Sequence, residues 1–198
     1  MEKSVVDQAV SFACNAHAGT FRKGTDIPYI VHPMEVMKIV CGITADKEVR
    51  AAAVLHDTVE DTPVTKADIE VLFDSRVAEL VASESEDKRE GIPEKETWKI
   101  RKEETLNHLE KASKDVKIIC LGDKLANMRD IARDYENLGD KLWERFNAPQ
   151  DGMGLQGKVA NIGWYYSGIV EKLKNDLSET VAWKELDSLV RKVFEEGN

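Results

Sequence analysis

Apolar residues along the chain recur with the spacing of helices. Val5, Val6, Ala9, Val10, Phe12, Ala13 and Ala16 form a broad apolar face and predict a helix over 4–17, with Ser4 as N-cap and Asp7 three residues on, close to a capping box. Gly19 and Gly24 mark a loop carrying Arg22 and Lys23. In Pro28-Tyr29-Ile30-Val31-His32-Pro33 the second proline suits the first turn of a helix, which puts His32 at or near its N-cap; the helix continues over 34–41 and ends at Gly42. Asp46 or Thr44 caps the next helix, which runs through Ala51 to His56. Thr65, with Asp68 at the capping-box position, opens a helix that turns Ile69, Leu72, Phe73, Val77, Leu80 and Val81 inward.

Residues 83–96 are polar and strongly charged and read as a solvated helix end and loop. A helix over 97–112 carries Ile100, Leu106 and Leu109. Asp115 caps the run 116–121, an acid interrupts at Asp123, and Leu125, Met128 and Ile131 resume the apolar face. The stretch 135–157, with Gly139, Pro149, Gly152, Gly154 and Gly157, reads as a helix fragment and then a flexible loop, a candidate lid. Two amphipathic helices over 159–175 and 178–196 close the chain. No stretch alternates with strand periodicity over a convincing length, so the expected fold is all-α, with roughly eight to ten helices.

A length of 198 residues fits one domain, or one domain with an elaborated end. The formal net charge of -9 argues against nucleic acid, whose phosphates need a basic surface, and against an anionic membrane. A small phosphorylated substrate stays compatible where local basic residues or a metal offset that sign. Cys14, Cys41 and Cys120 are odd in number, without a CxxC, in apolar helical settings; they are expected to be buried, reduced thiols, as in a cytoplasmic protein. No run approaches the roughly 20 apolar residues of a membrane span. Met1-Glu2-Lys3-Ser4 leads directly into an amphipathic helix with no signal-peptide pattern.

The densest chemistry is Leu55-His56-Asp57-Thr58-Val59-Glu60-Asp61, directly after the apolar run Ala51-Ala52-Ala53-Val54. Charge in an apolar setting is expensive unless paired or coordinated, so acids and an imidazole at the end of a buried helix suggest a bound cation. Residues four apart share a helical face, which pairs His56 with Glu60 and Asp57 with Asp61. Consecutive side chains point about 100° apart, so an adjacent His-Asp pair ligates most simply where the helix ends. His32, His56, Asp57 and Asp123 together suit a divalent ion such as Mn, Fe or Zn, which lowers the pKa of a bound water. Taken singly, His32 is equally a cap or a satisfied core histidine, and Asp123 equally a partner of Lys124 or Arg129. His17 and His108 read as ordinary helix residues.

The order His … His-Asp … Asp resembles the HD phosphohydrolase superfamily. Arg22-Lys23 with Pro28-Tyr29-Ile30-Val31-His32-Pro33, then Leu55-His56-Asp57-Thr58-Val59-Glu60-Asp61-Thr62, then Gly122-Asp123-Lys124-Leu125-Ala126-Asn127-Met128-Arg129-Asp130 resembles the hydrolase domain of RelA/SpoT proteins more closely. In length the chain is most similar to the small stand-alone alarmone hydrolases related to the animal SpoT homologue. The likeness runs over about 5–133, with an echo at Trp164-Tyr165-Tyr166. It implies one HD-domain helical bundle over 1–198, with 134–198 as a C-terminal extension.

It also implies removal of the 3′-pyrophosphate from guanosine tetra- and pentaphosphate, (p)ppGpp, giving GDP or GTP and pyrophosphate, with Mn2+ as cofactor. In that reading His32, His56, Asp57 and Asp123 hold the ion, and Glu60 and Asp61 position or activate the attacking water. Acids at a helix C-terminus oppose the helix dipole, which fits a functional origin for that pair. Arg22 and Lys23 match the family's basic pair at the nucleotide and its phosphates, and Asn127 lies near the nucleotide. Arg129 contacts substrate or braces Asp123 or Asp57, and Tyr165 meets the ribose or base. The glycine-rich 135–157 departs from the family and bears on guanine specificity; the acids of 83–90 receive no role. The implied partner is a small guanine nucleotide, with no oligomeric state implied. The competing readings are an HD phosphohydrolase acting on another phosphorylated nucleotide or dinucleotide such as NADPH, and a metal-binding helical module that does not catalyse.

Overall fold

The computed structural model describes residues 4–195 apart from Lys88 and Glu90. The expectations for Met1 to Lys3, for Lys88 and Glu90 in the charged stretch, and for Glu196 in the last helix lie outside the described residues. Among those described there are ten α-helices, one 3-10 helix and no strand; the one isolated bridge joins Phe21 to Pro28. No described helix is long and apolar enough to cross a membrane. The chain divides into two compact units, Met1–Ser85 with Lys114–Ala126, and Glu86–Ser113 with Asn127–Asn198.

The first unit holds α1 (Val5–Ala16), α2 (Val31–Cys41), α3 (Lys47–Leu55), α4 (Thr58–Asp61), α5 (Lys66–Leu72), α6 (Ser75–Ala82) and the start of α8 (Lys114–Leu138). At its centre, Ala51, Ala52, Ala53, Val54 and Leu55 of α3 are fully buried, and α3 packs on α1, α2 and α6. Small side chains on a central helix let its neighbours come close. Capping is local and reciprocal: Ser4 with Asp7, and Thr65 with Asp68, form complete capping boxes. The Asp46 side chain accepts from Glu48 N–H at 2.9 Å and starts α3. Asp74 accepts from Val77 N–H at 2.8 Å and restarts the chain as α6, so the single helix expected from Thr65 is two, and Leu72 is exposed.

Gly122 is where α8 meets α2. A Cβ there would sit 3.0 Å from Val40 Cγ2, 3.1 Å from Val36 Cγ1 and 3.2 Å from the Val36 carbonyl oxygen. The missing side chain lets the two helices approach closely, and the next residue is Asp123.

The second unit contains α7 (Glu94–Lys111), the remainder of α8, a 3-10 helix (Gly139–Arg145), α9 (Gly154–Leu177) and α10 (Val181–Phe194). Both α7 and α10 pack on α9. Gly168 admits Leu106 and Gly163 admits Phe194 against the α9 backbone. Ile100 is exposed on α7, whereas Leu106 and Leu109 are buried. The stretch 135–157 runs through the end of α8, the 3-10 helix and an irregular segment over 146–153 into the start of α9. Trp143 is 1% exposed and rings with Tyr135, Phe146 and Phe194, while Lys158 donates to Phe146 O at 3.0 Å and Asn161 to Asp151 Oδ2 at 2.7 Å. Gly139, Gly152 and Gly154 take positive φ, and Gly157, in the first turn of α9, admits the Gln150 backbone; the aromatics and side-chain hydrogen bonds fasten the stretch. Cys120 is buried, but Cys14 and Cys41 are exposed, because they fall on the solvent side of α1 and α2.

Replacing Gly122 with Ala is expected to destabilise the protein by about 1–3 kcal/mol in urea unfolding, the cost of overpacking. Helix propensity alone favours Ala by about 1 kcal/mol, so an unchanged or raised stability would show that the helices yield at little cost.

Candidate functional site

Three local decisions bring the site together in the first unit. Pro28 to Pro33 starts α2, so that His32 is its second residue and 4% exposed. The helix that carries Ala51 to Leu55 stops at His56; Asp57 takes φ -90° and ψ -4°, and α4 begins afresh at Thr58. That interruption turns His56 and Asp57 toward a common point. Gly122 then seats Asp123 of α8 beside α2.

The result is a tight knot of donors. His32 Nε2 is 3.0 Å from Asp123 Oδ1 and 3.6 Å from Asp57 Oδ2. His56 Nε2 is 3.0 Å from Asp57 Oδ2 and 3.8 Å from Asp123 Oδ1. One donor atom each from His32, His56 and Asp57 lie within 4.8 Å of one another. His56 Nδ1 is 2.9 Å from the Ala53 carbonyl oxygen, which can only accept, so the neutral ring keeps its Nε2 lone pair toward the carboxylates. That buried Nε2 lacks the alignment of a hydrogen bond even though Asp57 is close. Two imidazole nitrogens and two carboxylates, buried and facing one another, match the donor set of a divalent ion.

The electrostatics agree. Burial pushes His56 toward neutrality, but the carboxylates of Asp57 and Asp123 more than offset it and raise its pKa well above the usual range. Burial works against charge on Asp57 too, yet His56 holds its carboxyl below the ordinary value. Asp123 is likewise held low against burial by Lys124, His32 and His56; Lys124 Nζ lies 2.5 Å from Asp123 Oδ2. Without a metal, the site balances its two carboxylates with protons and an ammonium. A divalent ion would take the place of those protons.

The surrounding residues differ in how the structure places them. Asp61 sits one turn beyond Asp57, its N–H donating to Asp57 O at 2.9 Å, and Glu60 is half-buried on the same turn. Arg22 is half-buried with its guanidinium 5.8 Å from the Tyr29 ring centroid, and Lys23 is exposed in the same loop. Asn127 is one turn beyond Asp123 on the continuous helix α8. Arg129, in the second unit, makes a two-pronged ion pair with Glu185, at 2.7 Å on each side. Tyr165 is 4% exposed, packed with Trp98 and Tyr166 of the same unit.

Sequence reasoning passed over two neighbours of the site. The hydroxyl of Tyr29, inside the Pro28-to-Pro33 motif, lies 2.6 Å from Asp57 Oδ2 and 3.0 Å from Asp61 Oδ2. Glu84 lies in the acidic run that received no role, and its carboxyl is pushed up to about 8. Burial is the main cause; Lys124 opposes it, while Asp123 and Asp57 add to it. The motif itself pointed to Tyr29, whereas nothing in the sequence singled out Glu84 among the acids near it.

Residues 9–154 match the HD domain family. The chain belongs to the HD domain family. Membership implies a divalent metal, and the HD domain's His32–His56–Asp57 cluster is where this protein gathers donors for one. The HD domain protein is 37% identical over 133 residues to the guanosine-3′,5′-bis(diphosphate) 3′-pyrophosphohydrolase MESH1 of Danio rerio, covering 66% of this chain and 71% of that one. It is 37% identical over 132 residues to the bifunctional (p)ppGpp synthase/hydrolase SpoT of Escherichia coli K12, covering 63% of this chain and 18% of that much longer protein. Among solved structures it is similar to a metazoan SpoT orthologue described as hydrolysing ppGpp, with a TM-score of 0.73, 26% identity and 97% of each chain covered.

Glu84 allows a test of the electrostatics. Its folded pKa stands above the ordinary 4.5, so the stability it lends is full below about pH 4.5 and is lost as pH rises through about 8. In chelator-treated protein, Glu84→Gln should therefore gain Tm on the parent between pH 5 and pH 9, by about 2–4 °C per kcal/mol of the lost term. A parent–variant difference that stays flat over that range would contradict the placement of Glu84 beside Asp57 and Asp123.

Proposed function

We propose that this protein is a manganese-dependent 3′-pyrophosphohydrolase of guanosine tetra- and pentaphosphate, releasing pyrophosphate and leaving GDP or GTP. The observation that carries the reading is the convergence of His32, His56 and Asp57 on one point, with Asp123 against both imidazoles, in a chain whose relatives bear that activity in their names. His32, His56, Asp57 and Asp123 would hold the ion. A bound divalent ion supplies a Lewis acid for phosphate oxygens and lowers the pKa of water. The nitrogen and oxygen donors suit manganese, with iron or zinc as alternatives.

The protein's own groups do the rest. Asp61 and Glu60, on the turn after Asp57, orient the attacking water and accept its proton. The fixed α3–α4 interruption keeps that turn in register with His56, so the acids are positioned before substrate arrives. Arg22 and Lys23 supply positive charge for a polyphosphate on a chain whose formal net charge is -9. Asn127, one turn from Asp123, offers an amide to the nucleotide. Arg129, which pairs with Glu185, and Tyr165 are the further candidates for contact with the nucleotide in this reading.

Incubated with Mn2+ and guanosine tetraphosphate, the purified protein should release pyrophosphate. Asp61→Asn and Glu60→Gln should each lower kcat by about 100-fold or more. A panel including NADPH supplies the contrast: no pyrophosphate from guanosine tetraphosphate, with turnover of another nucleotide, would overturn the substrate.

A further inference from the structure

The Pro28-to-Pro33 segment does more than start α2. Tyr29 is clamped from several sides. Its N–H donates to Thr20 O at 2.9 Å, and Arg22 N–H donates to Ile27 O at 2.9 Å, closing the loop behind it. Its ring lies 4.8 Å from the His17 ring at 30°, beneath the Arg22 guanidinium, with the His32 ring edge-on at 6.1 Å. From that anchorage the phenol reaches across to the α3–α4 turn. Its hydroxyl donates to Asp57 Oδ2 at 2.6 Å and lies 3.0 Å from Asp61 Oδ2.

We propose that Tyr29 is a positioning residue for the reaction read above: clamped beside Asp57, it offers its single phenolic proton to Asp61 and so holds the water-orienting acid in register with the cation-binding one. The inference rests on that reading of Asp61. A hydroxyl carries one proton, and an ionised carboxylate can only accept, so only one of the two contacts is bonded at a time. Asp57 Oδ2 is also the oxygen nearest His56 Nε2, at 3.0 Å. When that oxygen is committed to a cation, the proton is left for Asp61. Asp61 is exposed, and an exposed carboxylate takes its rotamer from whatever tethers it. A phenol with its ordinary pKa of about 10 keeps its proton at neutral pH, so Tyr29 serves as a donor and not as a base. Phenylalanine would fill the same clamp without the proton.

The test uses the full chain with Mn2+ and guanosine tetraphosphate. Tyr29→Phe should lower kcat by about 10–100-fold, as loss of an outer partner does, with little change in KM. Calorimetric Mn2+ affinity of Tyr29→Phe should weaken by less than about tenfold, since the ligands themselves are kept. Adding Tyr29→Phe to Asp61→Asn should cost nothing more, because both changes remove one function. Unchanged kcat in Tyr29→Phe, parallel losses of Mn2+ affinity and kcat, or full multiplication of the two losses in the double variant would each overturn the proposal. If Asp61→Asn keeps full kcat, the reading of Asp61 falls and takes this one with it. An impaired Asp61→Asn beside an unimpaired Tyr29→Phe overturns the tether alone.

Discussion

Two buried imidazoles and the buried carboxylate of Asp123 face the half-buried carboxylate of Asp57, and the first unit is shaped by the need to make that tolerable. Removing charge from water costs several kcal/mol per ion unless opposite charge and hydrogen bonds replace the solvent. Asp57 and Asp123 obtain that compensation from His56, His32 and Lys124. The apolar frame makes the compensation strong. Ala51 to Leu55 exclude water on one side, and the Gly122 contact with Val36 and Val40 excludes it on another. A glycine with no side chain thus lets α8 approach α2 directly before Asp123.

The interruption between α3 and α4 has a comparable effect. A straight helix would send His56 and Asp57 about 100° apart. Ending α3 at Leu55 and restarting at Thr58 brings both toward His32. The Thr58 hydroxyl donates to Leu55 O at 2.7 Å and Asp61 N–H to Asp57 O at 2.9 Å, so the break is closed by hydrogen bonds and stores little strain. One local feature therefore brings His56 and Asp57 toward one point and sets the acids of the next turn. Tyr29 adds a tether from outside that turn.

Much of this was legible because the sequence breaks its own pattern where chemistry intrudes. A His-Asp pair after five apolar residues, an acid inside the apolar face of α8, and reciprocal Ser4–Asp7 and Thr65–Asp68 signals can all be read locally. What was not legible depended on partners distant in sequence. Tyr29 looked like one aromatic in a motif until its hydroxyl met acids 28 and 32 residues away. Glu84 was one acid in an acidic run, and only the fold sets it against Asp123 and Asp57. The glycines of 135–157 suggested looseness, but Trp143 and Asn161 fasten that stretch by contacts that no local pattern encodes. Cys14 and Cys41 sat among apolar neighbours yet on the outer faces of their helices, a matter of helix rotation that a neighbour-based reading misses.

A cation shared by His32, His56, Asp57 and Asp123 underlies the proposed chemistry, and metal stoichiometry reaches it without reference to any substrate. Protein dialysed against Mn2+ and then against metal-free buffer should retain about one equivalent by elemental analysis, as expected for a single site with all its donors in place. His32→Ala and Asp57→Ala should each lose most of it while keeping their helical signal. Undiminished manganese in either folded variant, or none in the parent, would contradict the claim that these side chains hold one ion.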